Sequence, residues 1–343
     1  MRGVVITEDR TLESAEVPEP EVGAGQVLLS VAYCGICGSD LHSINNPDRF
    51  HPGYVMGHEI SGEVLETGSG VTGWAPGDRV AVYHAIGCGE CRMCTSGASY
   101  RCTNSAGTSI GHGVIQGGYA ERIAVPDFLL HRLPGNVDLR IGALAEPLAI
   151  ATHGLNKAAI KSGDAVCILG AGPIGALHAC GLAARGIESI VVLEPNETRR
   201  AMMAALGFAT AGLEDPAAAV TAALGRAPDV VFECSGNESA ANIAIQLAAT
   251  FGRVMMTGRP YGLSLMSEGD IGRKELQVLG AASCTAEEFA QAAVLLGARP
   301  ELFAALVTTA VGFDAVDAAF KQLVAPGNNN LKVLVTARHA DAG

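Results

Sequence analysis

Residues 165–194 read AVCILGAGPIGALHACGLAARGIESIVVLE. Residues 165–169 are an apolar run of strand length, and Gly170, Gly172 and Gly175 follow at G-x-G-x-x-G spacing. Residues 174–185 are Ala-rich and helical in character, and 190–194 are a second apolar run closing on Glu194. Strand, glycine turn, helix, strand and acid in this order point to a dinucleotide-binding βαβ unit. The glycines permit a tight turn and let a pyrophosphate approach the helix N-terminus, where N–H groups and the helix dipole favour anions. Glu194 can accept hydrogen bonds from adenosine ribose hydroxyls and repels a 2′-phosphate, which favours NAD over NADP. Arg199 and Arg200 stand close behind and soften that exclusion.

The same texture extends on both sides. Apolar runs at 165–169, 190–194, 230–234, 253–257 and 276–280 alternate with helical stretches at 174–185, 197–206, 216–224 and 238–249. Such alternation predicts an α/β fold, a doubly wound parallel sheet covered on both faces. Residues 1–148 look different. Short alternating runs at 27–33, 60–67, 79–83 and 119–125, bounded by Gly and Pro, predict a mostly antiparallel, barrel-like domain. Beyond 284, stretches 286–296 and 314–323 look helical and 331–336 looks like a strand. The expected organisation is a first domain at 1–150 with a cysteine lobe at about 85–105, a dinucleotide domain at 151–284, and a tail at 285–343 returning to the first domain.

Composition sets limits. With 343 residues, two domains are the prior. Hydrophobic residues at 49% against 17% charged suffice for a sizeable core, and 5% aromatics means that Ala, Val, Leu and Ile must build it. The net charge of −12 argues against nucleic-acid and anionic-membrane partners, which reward basic patches. Residues 165–184 are long enough to span a bilayer, but their glycines and Pro173 make strand–turn–helix the better reading. The opening MRGVVITEDR has no apolar leader core, so a soluble, cytoplasmic chain is expected.

Six of ten cysteines fall between Cys34 and Cys102. Cys88, Cys91, Cys94 and Cys102 follow one another in a short stretch of polar or small residues that could form no core of its own. Four thiolates so spaced suit a closed tetrahedral zinc site, a structural one because no position is left open. Four reduced thiols or an iron–sulfur cluster are the alternatives. Cys37 in CGICGSDLH (34–42) and His58 and Glu59 in GHEISGEV (57–64) could hold a second zinc with an open position. Spacing alone weighs this no more heavily than a core cysteine and a locally bonded histidine. Cys167, Cys180, Cys234 and Cys284 are scattered in apolar surroundings and read as small core residues.

CGICGSDLH, GHEISGEV, the four-cysteine stretch, AEPLA (145–149), GAGPIG (170–175) and Lys274-Glu275-Leu276, in that order, resemble the zinc-dependent medium-chain dehydrogenases. Glu146-Pro147-Leu148 is similar to the sorbitol and 2,3-butanediol dehydrogenase branch. The resemblance spans nearly the whole chain. It implies a GroES-like catalytic domain beside a Rossmann domain, two zinc ions and NAD per chain, and hydride transfer between a secondary alcohol and NAD to give a ketone. It makes Cys37 and His58 ligands of a catalytic zinc. Glu59 and Glu146 would complete that site, directly or through water, with either able to bind. It assigns Asp40 to holding the His58 tautomer, Ser39 to taking the alcohol proton, and His42 to passing it to solvent, with an exposed loop histidine as the plainer alternative. Cys34 would be structural. Cofactor contacts would come from Gly170, Gly172, Pro173, Ile174, Gly175, Glu194, Arg199, Cys234, Thr257, Gly258, Arg259, Ala281 and Ser283.

One stretch departs from the family. Polyol-binding members commonly carry an arginine and an aromatic after the strand following Lys-Glu-Leu. Here Gly280–Thr285 is small and nearly apolar, which points to a less polar or bulkier secondary alcohol. Residues 43–50 could supply other contacts. Threonine dehydrogenase, an amino-sugar- or aldehyde-processing dehydrogenase, and a non-catalytic zinc-stabilised binding protein are the rival functions. Family members associate through the edge of the nucleotide-binding sheet, here near 263–266, so a homotetramer or homodimer is expected, with a small alcohol or ketone as the other partner.

Overall fold

The computed structural model describes residues 1–44, 51–104, 109–111, 115–258 and 266–337. These residues form two compact units, one from residues 1–146 with the segment from Thr285 on, the other from Pro147–Cys284. No helix among them is long and apolar enough to cross a membrane.

The first unit begins with a hairpin of β1 (Arg2–Ile6) and β2 (Leu12–Glu16). Its main sheet contains β3 (Gln26–Gly35), β4 (Glu59–Thr67), β5 (Arg79–Val82), β6 (Arg122–Pro126) and β7 (Leu130–Arg132). Helices α1 (Gly38–Ser43), α2 (Arg92–Thr95) and α3 (Leu139–Gly142) are short, and α4 (Ala145–Lys157) carries the chain into the second unit. The long strand β3 alternates buried and half-exposed residues, as one covered face requires, and it pairs with β4 and β6. The expected strand at 119–125 starts only at Arg122, because the chain bends at Gly118, Tyr119 and Glu121 and only Ala120 makes an isolated bridge, to Gly3.

The second unit holds β8 (Val166–Leu169), β9 (Ile190–Leu193), β10 (Ala209–Ala211), β11 (Val230–Glu233), β12 (Arg253–Met256) and β13 (Gln277–Gly280). Its helices are α5 (Pro173–Ala184), α6 (Glu197–Ala205), α7 (Pro216–Leu224), α8 (Ala240–Leu247) and α9 (Glu268–Arg273). All strand pairs are parallel, in the order β10-β9-β8-β11-β12-β13. This is the doubly wound order with its switch point between β8 and β11. The central strands β8, β9 and β11 are buried at every residue, so they read as apolar runs, broken only by the buried Glu233 at the end of β11. The edge strand β10 is three residues of Ala and Thr and gives no such signal.

The chain then returns to the first unit through α10 (Ala286–Leu296), α11 (Pro300–Ala304), β14 (Val307–Gly312), α12 (Val316–Val324) and β15 (Lys332–Thr336). The full sheet order is β14-β15-β3-β4-β5-β7, antiparallel except for β14 with β15. Strand β15 pairs with the end of β3, Leu334 opposite Gly35, which places Lys332 next to the start of β4.

Candidate active site and zinc lobe

In the cysteine lobe the four sulfurs of Cys88, Cys91, Cys94 and Cys102 all lie within 4.8 Å of one another. Cys88 Sγ is 3.9 Å from Cys94 Sγ, and Cys91 Sγ is 4.0 Å from Cys102 Sγ. A zinc with four sulfurs at about 2.3 Å needs edges of about 3.8 Å, so the donors fit that ion. Backbone N–H groups point at the sulfurs: Cys91 N at Cys88, Cys94 N at Cys91, and Cys88 N and Asn104 N at Cys102. Such donors, from Cys94 and Thr103, bring the Cys91 thiol down to about 5.

A second donor group gathers Cys37, His58 and Glu59, whose ligand atoms are again mutually within 4.8 Å. The β3–β4 ladder makes this meeting. Gly35 pairs with Glu59, so Cys37 just beyond β3 and His58 just before β4 stand at the same end. Cys37 caps α1, and its backbone N–H donates to Asp40 Oδ2 at 3.0 Å. Asp40 Oδ1 lies 3.4 Å from His58 Nδ1, and both side chains are buried. Burial disfavours the charged ring, but Asp40 and Cys37 outweigh it and hold the His58 pKa well above its usual value. A thiolate and an imidazole oriented by a carboxylate are donors that suit zinc with a position left open.

The two carboxylates have different surroundings. Glu59 is completely buried, with both oxygens 2.8 Å from Lys332 Nζ. It fits only because Gly35 lacks a side chain: a Cβ there would lie 1.8 Å from Glu59 Oε2. Lys332 also donates to the Ile36 carbonyl, and although burial opposes its charge, Glu59 and the neighbouring Cys37 and Glu146 hold its pKa above the usual value. Glu146 lies outside the Cys37–His58–Glu59 donor group, in the first turn of α4, with Oε1 3.2 Å from His84 Nδ1. Burial pushes its carboxyl up, but the His84 hydrogen bond and charge overcome this and keep it low. The His84 ring centre is 5.4 Å from that of His58. Ser39 is half-buried and His42 is exposed, both on α1.

In the second unit a crevice of about 450 Å³ opens at the switch point. Gly170, Gly172, Pro173, Glu194, Arg199 and Cys234 line it. Gly175 lies in α5, where a Cβ would meet the Gly170 carbonyl oxygen at 1.9 Å, so helix and strand can pack this closely only at glycine. Ile174 occupies the first turn of the same helix. Glu194 is buried and accepts from the glycine turn itself, Ala171 N to Oε2 at 2.6 Å, and from Asn196 N to Oε1 at 2.9 Å. Arg200 turns back onto the Glu194 and Pro195 carbonyls, leaving Arg199 as the cation on the crevice wall. Thr257 Oγ1 is 3.1 Å from Cys234 Sγ and donates to the Glu233 carbonyl, which also receives Gly258 N. Burial pushes the Cys234 thiol up to about 12, so it is protonated at neutral pH. Ala281 is buried just after β13, and Ser283 takes a left-handed φ of 62°. Arg259 lies outside the described residues, as do positions 45–50.

Residues 23–135 match the alcohol dehydrogenase GroES-like domain, and residues 173–298 match the zinc-binding dehydrogenase domain. A 2-dehydro-3-deoxy-L-galactonate 5-dehydrogenase of Pseudoalteromonas atlantica is 37% identical over 78% of both chains. A sorbitol dehydrogenase of Halalkalibacterium halodurans is 32% identical over 98% of this chain and 99% of its own. The chain belongs to the zinc-containing medium-chain alcohol dehydrogenase family. Two solved structures of similar fold carry a nicotinamide cofactor. A short chain alcohol dehydrogenase from Escherichia coli CFT073, in complex with NADH, superposes with a TM-score of 0.86 at 26% identity over 98% and 99% of the two chains. A putative zinc-binding dehydrogenase of Sinorhizobium meliloti, with NADP, does so with a TM-score of 0.87 at 30% identity over 98% of each. As a family member the chain is an oxidoreductase of CH–OH groups.

Three polar residues of this dehydrogenase's metal region escaped the sequence reading. Tyr119 donates its phenol to Asp40 Oδ2 at 2.9 Å. Lys332 comes from the far end of the chain to hold Glu59. His84 sits four residues before Cys88 with no spacing of its own to mark it. All three are brought in by long-range pairing, so no local pattern could have announced them.

Proposed function

We propose that this dehydrogenase oxidises a secondary alcohol of a polyol, diol or sugar acid to the ketone with NAD, and reduces the ketone in the reverse direction. The observation that carries the reading is the convergence of Cys37, His58 and Glu59, with Asp40 behind the histidine. The relatives' names support the polyhydroxylated substrate class, one a sorbitol and the other a sugar-acid dehydrogenase. In this reading the pair of buried Glu146 and half-buried His84 supplies hydroxyl anchors beside His58.

Cys37 and His58 would hold a zinc ion, with Glu59 or Glu146 as the exchangeable third donor, and the bound ion would supply Lewis acidity that eases loss of an alcohol proton. Asp40 keeps the Nδ1 proton of His58 on its own side, leaving Nε2 for the metal. Ser39 takes the hydroxyl proton and exposed His42 hands it to solvent. Glu194 would receive the adenosine ribose, and Thr257, Gly258, Ala281 and Ser283 would line the nicotinamide site, the cofactor supplying the hydride acceptor.

Rates with galactonate, idonate, sorbitol, 2,3-butanediol and L-threonine, each with NAD and NADP, test the substrate class. A hexonate or polyol should lead. A decisive lead for threonine, or no turnover of any alcohol, overturns the reading. Ser39→Ala should lower kcat by about 10²–10⁴-fold, the range for a proton-transfer group, and His42→Ala by less, since water replaces a terminal relay group. A pH–rate profile untouched by His42→Ala would return that residue to an ordinary exposed histidine.

A further inference from the structure

We propose that Tyr119 is a positioning residue for the catalytic metal site, acting through Asp40 on His58. The proposal rests on Cys37 and His58 being zinc ligands.

Tyr119 is completely buried, and its phenol O–H has two oxygens in reach: Asp40 Oδ2 at 2.9 Å and the Gly35 carbonyl at 3.3 Å. One proton serves one short bond, and the charged acceptor at the shorter distance takes it. Asp40 Oδ2 thus receives two donors, this phenol and Cys37 N–H. Together they remove the carboxylate's freedom to rotate and turn Oδ1 toward His58 Nδ1, 3.4 Å away.

The ring does a second job. It lies against Gly57, the residue before His58, whose φ is +99°. A Cβ at Gly57 would stand 2.6 Å and 2.7 Å from Tyr119 Cδ1 and Cε1. The backbone flanking the ring is tied to the same segment, Tyr119 N to the Met56 carbonyl at 2.9 Å and Gly118 N to the Gly57 carbonyl at 2.8 Å. Tyr119 therefore holds the mounting of His58 from below with its ring and sets the imidazole's partner from the side with its hydroxyl. On the far side the ring meets Phe320 edge-on at 6.3 Å.

Tyr119→Phe separates the two jobs, because it keeps the ring and removes only the donor. Outer-shell partners of metal-bound histidines are worth about 10–100-fold in metal affinity or activity, and one shell further out about 3–10-fold is expected. Purified Tyr119→Phe should hold two zinc ions and melt within a few degrees of wild type. It should release the zinc that Cys37→Ser abolishes about 3–10-fold faster to a chromogenic chelator, with release from the four-cysteine lobe unchanged. Cobalt substituted at the catalytic site should show a shifted visible absorption band. Asp40→Asn should accelerate release more strongly, and Asp40→Asn/Tyr119→Phe no more than Asp40→Asn alone, because the tyrosine acts through the aspartate. Release within twofold of wild type with an unchanged cobalt band overturns the proposal, as do additive effects in the double variant. A wild-type count of one zinc per chain, untouched by Cys37→Ser, overturns it together with the reading of the metal site.

Discussion

His178 shows how far one side chain can depart from its ordinary chemistry. It is completely buried in α5, donates Nδ1–H to the Ile174 carbonyl at 2.8 Å, and lies 4.7 Å from the Phe232 ring. Burial drives its pKa down to about 4. The unfolded chain binds that proton near 6.5, so between 6.5 and 4 the unfolded state carries the extra proton and stability falls as pH falls. The expected loss between pH 7 and 4.5 is about 2 kcal/mol, read from urea unfolding at those two values. His178→Leu should lose correspondingly less, and equal losses in both proteins would refute the assignment. Glu194 is the other residue with a measurable consequence. Its carboxylate is seated by Ala171 N–H and Asn196 N–H at the crevice wall, where a 2′-phosphate would meet like charge. Glu194→Ser should shift the kcat/KM ratio of NAD to NADP toward NADP by about tenfold, or about 1.4 kcal/mol. Faster turnover of NADP by the unmodified enzyme would instead put Arg199 in control.

Between elements, the contact with the largest expected effect joins β15 to β4 across the end of β3. Lys332 reaches Glu59 because Gly35 lies between them without a side chain. Removing one partner of such a pair strands a buried charge, so Lys332→Met should cost about 3–5 kcal/mol in denaturant unfolding. Lys332→Met/Glu59→Gln should regain much of that loss, and a double variant as unstable as the single one would deny the ion pair its role. Because the Lys332 pKa is raised, the lysine's part is fully present below the ordinary value of 10.5 and fades as pH climbs beyond it, while burial pushes the Glu59 carboxyl up and so ends the pair on the acid side. The cysteine lobe is the opposite case, an element with almost no core. Stretch 88–101 contains no buried residue, so the metal must hold it. Stripping the zinc with a chelator should expose 88–104 to proteolysis while the parallel sheet keeps its hydrogen-exchange protection. A lobe equally resistant without metal would show that its backbone turns suffice.

At the scale of the whole molecule, two donor groups in one chain imply two zinc ions, and elemental analysis of protein prepared without chelator should return about two per chain. A single ion, lost in Cys88→Ser and kept in Cys37→Ser, would leave the enzyme without its catalytic metal. Assembly through the edge of the parallel sheet would protect an open pairing edge. Light scattering is therefore expected to give a dimer or tetramer of the 35.1 kDa chain, and a monomer at micromolar concentration would refute it. Of the edge segment expected at 263–266, only Met266 belongs to the described residues, and it is exposed.

What depends on local pattern could be read directly from the residues. A parallel sheet covered on both faces must be mostly apolar, and β8, β9 and β11, with Glu233 the one charged residue among them, announce themselves for that reason. The glycine turn is legible because close approach to the Gly170 carbonyl admits nothing larger at 175. Cysteines three residues apart converge almost wherever the chain turns, so the lobe needed no tertiary information. The short edge strand β10, the Tyr119 turn and strand β14 have no such signature. Only the tertiary structure decided which side chains stand behind the metal donors. Tyr119 reaches Asp40 from 79 positions away, and Lys332 reaches Glu59 from 273. Their partners are chosen by strand order, by a glycine opposite a carboxylate and by the depth of burial, and those are properties of the folded chain.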